Sequence, residues 1–292
     1  MKIAVIGPIC RDKINISGTQ HFQPGGATYY NGLALSSLGI DVTVFGAYNT
    51  SEDDSWLASF KKKVKLIAIP TAETLTFLNE YPDPNSQDLR VQKVKNVNCV
   101  MDWNQLKKYD FQSYDGIALG PLFHNNFSLD FVKNLHKINP HSYLAGQGII
   151  RYSDKGKVIW RNPEKLQDML PYVKALFVDE QEFEFMSGNN ESPKFRDLEK
   201  LIITNGSKGS TIITKGSEFE IPAFPPTETV DATGAGDTYM AGVLAASERF
   251  SDVYQIGIFA AMASTLCLEH HGALKQSFEE ILKRIREIKI DN

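Results

Sequence analysis

Residues 230–244 read VDATGAGDTYMAGVL. Gly234 and Gly236 leave no side chain in a ligand's way and tolerate positive φ. The apolar stretch that follows has helical character, so the glycines fall where first-turn amides lack internal partners. Such amides, at the positive end of the helix dipole, form an anion cradle. Asp237 then puts a carboxylate in the mouth of that cradle. A resident anion would be repelled by it. A phosphoryl group in transfer is a different case: the cradle takes the developing charge while the carboxylate takes a proton from an incoming hydroxyl. An ordinary glycine-rich helix cap is the competing reading.

The 292 residues are 42% hydrophobic, enough for one large core with or without an appendage. A net charge of -4 supplies no basic excess to neutralise a phosphate backbone, which argues against nucleic acid as a partner. Cys10, Cys99 and Cys267 are scattered, without zinc or CxxC spacing, and read as idle thiols in a reducing cytosol. The opening MKIAVIGPICRDK reads as a first strand rather than a signal peptide. No apolar run approaches the ~18 residues of a membrane helix. The expectation is a cytoplasmic protein without a membrane partner.

Working outward, residues 2–7 and 41–47 look like buried strands, with a helix from Thr28 to Leu38 between them that Gly39 stops. Residues 13–24 suggest a short exposed strand, and residues 51–63 a helix with acids first and lysines last. VKLIAIP, TLTFLNEY and LRVQKVK (64–95), split by turn residues including PDPNSQD, predict a small antiparallel sheet apart from the body. Apolar strands then return in DGIALG, SYLAG, KALFVD and KLIITNG, separated by helical stretches. STIITKGSEFEIPA reads as a hairpin, and three helices close the chain from residue 236 onward. Alternating strand and helix predict a doubly wound, mostly parallel sheet.

The D-x-x-G-A-G-D pattern at Asp231, Gly234, Ala235, Gly236 and Asp237 resembles the second signature of the PfkB carbohydrate kinases, the ribokinase-like family. The resemblance runs along most of the chain. Gly7 and Asp12 match the opening glycine and the acid that binds substrate hydroxyls. Gly25 and Gly26, followed by Leu38-Gly39, match the pair lining the substrate pocket. It implies one ribokinase-like kinase domain over residues 1–292, an α/β body with a small β-sheet lid formed from about 13–24 and 64–95. It also implies ATP as donor, with Asp237 as base and the Gly234-Ala235-Gly236 amides as anion hole.

The remaining site assignments follow from that resemblance. Thr204, Gly206 and Gly209 resemble the nucleotide loop T-x-G-x-x-G, where Lys208 either reaches phosphate or sits in solvent. Glu182 matches the Glu of Asn-x-x-Glu, which helps hold hydrated Mg²⁺, and Asp179 replaces the Asn. Asp231 and Thr233 match positions beside a monovalent-cation site, K⁺, in some members. Arg151, in AGQGIIR, is a clamp for an anionic or polyol substrate or a surface arginine. His270-His271, near the expected adenine loop, read as loop residues rather than a metal site. Phe77 is a lid contact or sheet core.

Gly146 stands where the family pattern expects an acid, and the sugar-contact position departs as well. Many members carry Asn four residues after the second glycine, where it contacts sugar. Here that position is Tyr30, and Asn31 lies one helical step of about 100° away. The acceptor is therefore open among sugars, polyols and nucleosides. A monomer and a homodimer both fit. The altered positions also leave open a non-catalytic nucleotide or metabolite sensor on the same fold. A nicotinamide-dependent oxidoreductase is disfavoured, because VIGPICRD lacks GxGxxG.

Overall fold

The structure, a computed structural model, describes residues 1–16, 19–81, 91–161, 163–188, 195 and 198–290. Its strands are, in chain order, β1 (Lys2–Pro8), β2 (Cys10–Ile16), β3 (Thr19–Gly25), β4 (Asp41–Tyr48), β5 (Lys65–Pro70), β6 (Thr76–Tyr81), β7 (Val91–Lys95), β8 (Gly116–Leu119), β9 (Ser142–Ala145), β10 (Arg151–Asp154), β11 (Lys157–Trp160), β12 (Ala175–Asp179), β13 (Lys200–Thr204), β14 (Ser210–Thr214) and β15 (Ser217–Ile221). Nine of them form a large sheet in the order β15-β14-β13-β12-β9-β8-β1-β4-β5. Pairing is parallel from β5 through to β13, and antiparallel only along β13-β14-β15.

β1 shows why the sheet is buried on both faces. Ile3 and Val5 belong to one apolar cluster, Ala4 and Ile6 to another. The first cluster includes side chains from helices Ala27–Ser37, Ala235–Ala246, Val253–Leu268 and Phe278–Ile290. The second gathers Phe131, Val132 and Leu135 of helix Leu129–Ile138 with Leu166 and Met169 of helix Pro163–Met169. A strand covered on both sides has no need of polar alternation, so KIAVIG reads as a continuous apolar run.

The remaining six strands form a second sheet, ordered β10-β11-β7-β6-β2-β3. This sheet differs from the sequence reading at three places. Residues 64–70 do not join it: β5 runs parallel to β4 at the edge of the large sheet. Leu66 and Ala68 pack on one core cluster and Ile67 and Ile69 on the other, which a one-faced outlying sheet would not provide. The hairpin β10-β11, absent from the expected sheet, pairs with β7 through Lys157 and Lys93. The expected single strand at 13–24 is an antiparallel hairpin that begins at Cys10. In the predicted helix at 51–63, only Ser55–Leu57 and Ala58–Lys61 are helical, the first as a 3₁₀ turn. The PDPNSQD turn lies outside the described residues.

Candidate active site

A cavity of about 740 Å³ lies between the two sheets, and the start of helix Ala235–Ala246 opens into it. Its entry loop is fixed from several directions. The Val230 and Asp231 amides both donate to the Leu268 carbonyl at the end of the next helix, at 2.8 and 3.2 Å. The Asp231 carboxylate accepts the Thr233 amide at 2.9 Å, and the Ala235 carbonyl accepts the Ser264 hydroxyl at 3.0 Å. Gly234 caps the helix at φ 81°, in the left-handed region that favours glycine. A Cβ there would lie 2.4 Å from Cδ1 of Tyr30, so the turn rests directly on that ring. At Gly236 a Cβ would meet nothing within 4 Å.

Asp237 sits in the first helical turn, half-buried in the cavity wall. Burial pushes its carboxyl up to about 7, and the Arg151 guanidinium pulls the other way. Glu182 lies close by, only 4% exposed. Burial, and then the Asp179 carboxylate, push Glu182 up to about 7, again against Arg151, whose Nη2 is 4.0 Å from Glu182 Oε1. Arg151 opens β10, so the second sheet supplies the cation to two acids in the first turns of helices Glu180–Ser187 and Ala235–Ala246. Asp179 and Glu182 form a reciprocal capping box: the Glu182 amide donates to Asp179 at 2.7 Å and the Asp179 amide to Glu182 at 3.1 Å.

At the other end, Asp12 is 8% exposed and lies over Gly25, where a Cβ would fall 2.6 Å from its Oδ2. A Cβ on Gly26 would fall 2.9 Å from Leu122, and one on Gly7 2.3 Å from the Thr28 hydroxyl. Tyr30 lines the cavity; burial first, then the Asp12 and Asp231 carboxylates, push its phenol above the usual range. Asn31 takes no part, since it is buried with its amide 3.8 Å from the Met240 sulfur. The step from Tyr30 to Asn31 thus turns that amide out of the pocket.

Asp12, Tyr30, Arg151, Asp179, Glu182, Thr204 and the 231–237 loop all line the cavity. Gly25 lies just behind it, beneath Asp12. The rest of the T-x-G-x-x-G stretch does not line it: Gly206 and Lys208 are exposed in a 3₁₀ turn. Gly209 has its own packing reason, because a Cβ there would fall 2.2 Å from the Ile221 carbonyl. His271 is exposed, 3.9 Å from Asp231. Phe77 is both a lining residue and core, stacked on Phe123 with centroids 5.9 Å apart. Among the described residues, no three His, Cys, Asp or Glu side chains converge as a metal cluster.

Among the lining residues that escaped the sequence reading are three amides on the second sheet, Gln23, Asn79 and Gln92. Their signal was polarity at alternate strand positions, in phase with Asp12 and Phe77, which in isolation looks like a solvent face.

A two-sheet α/β body with this glycine-carboxylate turn is the fold of ribokinase-type proteins. A pyrophosphate-dependent kinase of the ribokinase family superposes with TM-score 0.80 at 20% identity, covering 96% of this chain and 99% of that one. Fructokinase of Xylella fastidiosa, solved with bound ATP, gives 0.81 at 15% identity, with 99% of each chain covered. The family model described as pfkB family carbohydrate kinase matches residues 3–280, and the chain belongs to that family. A nucleoside kinase of Methanocaldococcus jannaschii is 30% identical over 169 residues, covering 56% of this chain and 53% of the relative. An inositol 3-kinase of Arabidopsis thaliana is 28% identical over 97 residues, covering 31% and 27%. The matches thus span about half, or less, of these curated relatives.

Proposed function

We propose that this chain transfers the terminal phosphoryl group of ATP to a hydroxyl of a small sugar, polyol or nucleoside. The observation that carries the reading is Asp237: a carboxylate poised near neutrality in the cavity wall, one residue after a glycine with open space before it. A base works best when its pKa lies near the operating pH. The acceptor oxygen attacks the terminal phosphorus, the bond to the donor's bridging oxygen breaks, and the hydroxyl proton passes to Asp237. The amides of Gly234, Ala235 and Gly236 take up charge on the transferring group. Arg151 offers a guanidinium to the same charge and keeps Asp237 ionisable. Asp12 and the Gly25-Gly26 turn orient the acceptor, with Tyr30 as the floor.

Asp179 and Glu182 fit Mg²⁺ best at a distance, because the capping box takes one oxygen of each and Arg151 faces the other oxygen of Glu182. That suits an ion that keeps its waters and takes other ligands from phosphates. Bound there, Mg²⁺ would neutralise donor charge. Asp231, tied to Thr233, is the residue to test for K⁺ dependence.

Pyrophosphate is a second donor reading. It is favoured by the placement of Gly206, Lys208 and Gly209 outside the cavity lining, which leaves Thr204 alone from that loop. Transfer assays with each donor, run over sugars, cyclitols and nucleosides, test both. Product with ATP supports the first reading, and product with pyrophosphate only supports the second. ATP binding without transfer to any acceptor would support the sensor instead.

A further inference from the structure

His124 stands in the loop between β8 and helix Leu129–Ile138. That loop is pinned to the body. Asn126 is fully buried; its Oδ1 accepts the Leu122 and Phe123 amides, each at 2.7 Å, and its Nδ2 donates to the Cys99 carbonyl at 2.8 Å. Lys165 Nζ, from helix Pro163–Met169, donates to the His124 carbonyl. From this fixed loop His124 reaches across to the second sheet. Its amide donates to the Arg151 carbonyl at 3.0 Å, and its Nδ1 lies 3.3 Å from the same oxygen. A carbonyl only accepts, so the hydrogen of that second bond sits on Nδ1. The imidazole also stacks on Tyr152, with centroids 3.6 Å apart and planes 9° from parallel. Burial pushes this imidazole below its ordinary range, against the pull of the Arg151 bond and with the Lys165 charge on its side. At neutral pH the ring is uncharged, and it donates from Nδ1.

The hairpin that carries Arg151 needs holding at this end. β10 is the outer strand of the second sheet. β11 meets β7 near the hairpin's tip, at Lys157 and Lys93 and through the Val94 amide, which donates to the Gly156 carbonyl at 2.8 Å. Arg151 lies at the opposite end, paired with Trp160. Before it in the chain Ile150 is fully buried. After it, His124 takes the Arg151 carbonyl and the Tyr152 ring. The far end of the Arg151 side chain has little room for error. Its Nη2 is 4.0 Å from Glu182 Oε1, a long ion pair, and the same guanidinium acts on Asp237. Misplacement by about 1 Å matters for a group that must act on a transferring charge.

We propose that His124 is a positioning residue: through its Nδ1–H bond to the Arg151 carbonyl and its stack on Tyr152, it holds the start of β10 so that the Arg151 guanidinium faces Glu182 and Asp237 during transfer. The effect on turnover rests on the phosphotransferase reading. The effect on Arg151 itself does not.

The test is a double-mutant cycle on the full chain, with the donor and acceptor that give the highest turnover. His124→Phe keeps a stacking ring and removes the Nδ1–H. It should lower kcat about 3- to 5-fold, as for loss of one neutral hydrogen bond, with KM for the acceptor within about twofold of wild type. His124→Asn returns an N–H close to the place of Nδ1 and should recover kcat to within about twofold of wild type. In an Arg151→Met background, His124→Phe should change kcat by less than about 1.5-fold, because a residue that acts through Arg151 has nothing left to act on. A second readout needs no turnover. Arg151 Nε is buried, so its N–H signal, assigned by its loss in Arg151→Met, should exchange slowly with solvent in wild type. In His124→Phe that exchange should be at least about 5-fold faster. Additive losses in the double variant would overturn the proposal. So would a loss in His124→Asn as large as in His124→Phe, or wild-type kcat and exchange in His124→Phe. If no donor and acceptor give product, the kinase reading falls and exchange alone decides: faster exchange in His124→Phe supports the positioning role, and unchanged exchange overturns it.

Discussion

Two glycine turns lead into helices at the same cavity, and they use glycine differently. The Gly25-Gly26 turn opens helix Ala27–Ser37, and the Gly234-Ala235-Gly236 turn opens helix Ala235–Ala246. In the first, both glycines are filled in from behind, by the Asp12 carboxylate and by Leu122. In the second, Gly234 is filled by the Tyr30 ring, yet Gly236 has nothing within 4 Å of where a Cβ would stand. The first helix has no acid in its first turn, and the second has Asp237. Packing accounts for three of these glycines. It does not account for Gly236, whose free space faces a site where a ligand would stand.

That contrast can be broken by substitution. Gly234→Val should do the most damage. It forces a β-branched residue to φ 81° and drives its Cβ into Tyr30. Both soluble yield and melting temperature should fall, the latter by roughly 5 °C or more, with activity lost. Gly236→Ala should separate the two kinds of glycine. Its melting temperature should stay within about 2 °C of wild type, while kcat/KM falls about 10²-fold as a methyl enters the phosphoryl site. Equal loss of stability and activity would return Gly236 to the packing class.

Smaller effects sharpen the electrostatics. The raised carboxyl of Asp237 predicts that kcat/KM climbs as pH rises through about 7 and is flat above it, since the base must be ionised. Arg151 opposes that rise, so Arg151→Met should move the limb to higher pH and lower kcat/KM about 10-fold at neutrality. The sign for stability runs with it. Between the ordinary 3.8 and about 7 the folded chain holds a proton that the unfolded chain has lost, so this group's contribution falls as pH rises across that window. Lys208→Ala should change KM for the donor by less than about twofold, because the side chain is exposed and beyond the cavity lining.

Much of the body and the glycine-acid turn at the cavity was legible in the sequence, because both are written locally. KIAVIG is an apolar run that only a strand covered on both faces explains, and GAGD sets glycines and acid within one helical turn. The second sheet was less legible because its membership depends on distant pairings. VKLIAIP is equally apolar as a central or an outlying strand, and only its register with β4 decides between them. Arg151 was visible as a charge, but not as the first residue of a hairpin that carries it to Glu182 and Asp237. The amides at Gln23, Asn79 and Gln92 were hidden by the alternation that exposes them to the cavity. A polar face looks solvated until a second sheet is known to stand opposite it.

The central claim is that Asp237 takes the acceptor's proton at the mouth of the glycine turn. The most direct measurement is single-turnover phosphoryl transfer by Asp237→Asn beside wild type, with its preferred acceptor and donor, after matching melting temperatures and donor affinities. The account predicts an unaltered fold, retained donor binding and a transfer rate lower by about 10²–10⁴-fold, with the limb near pH 7 gone. A transfer rate within a few-fold of wild type, still rising through pH 7, would contradict it.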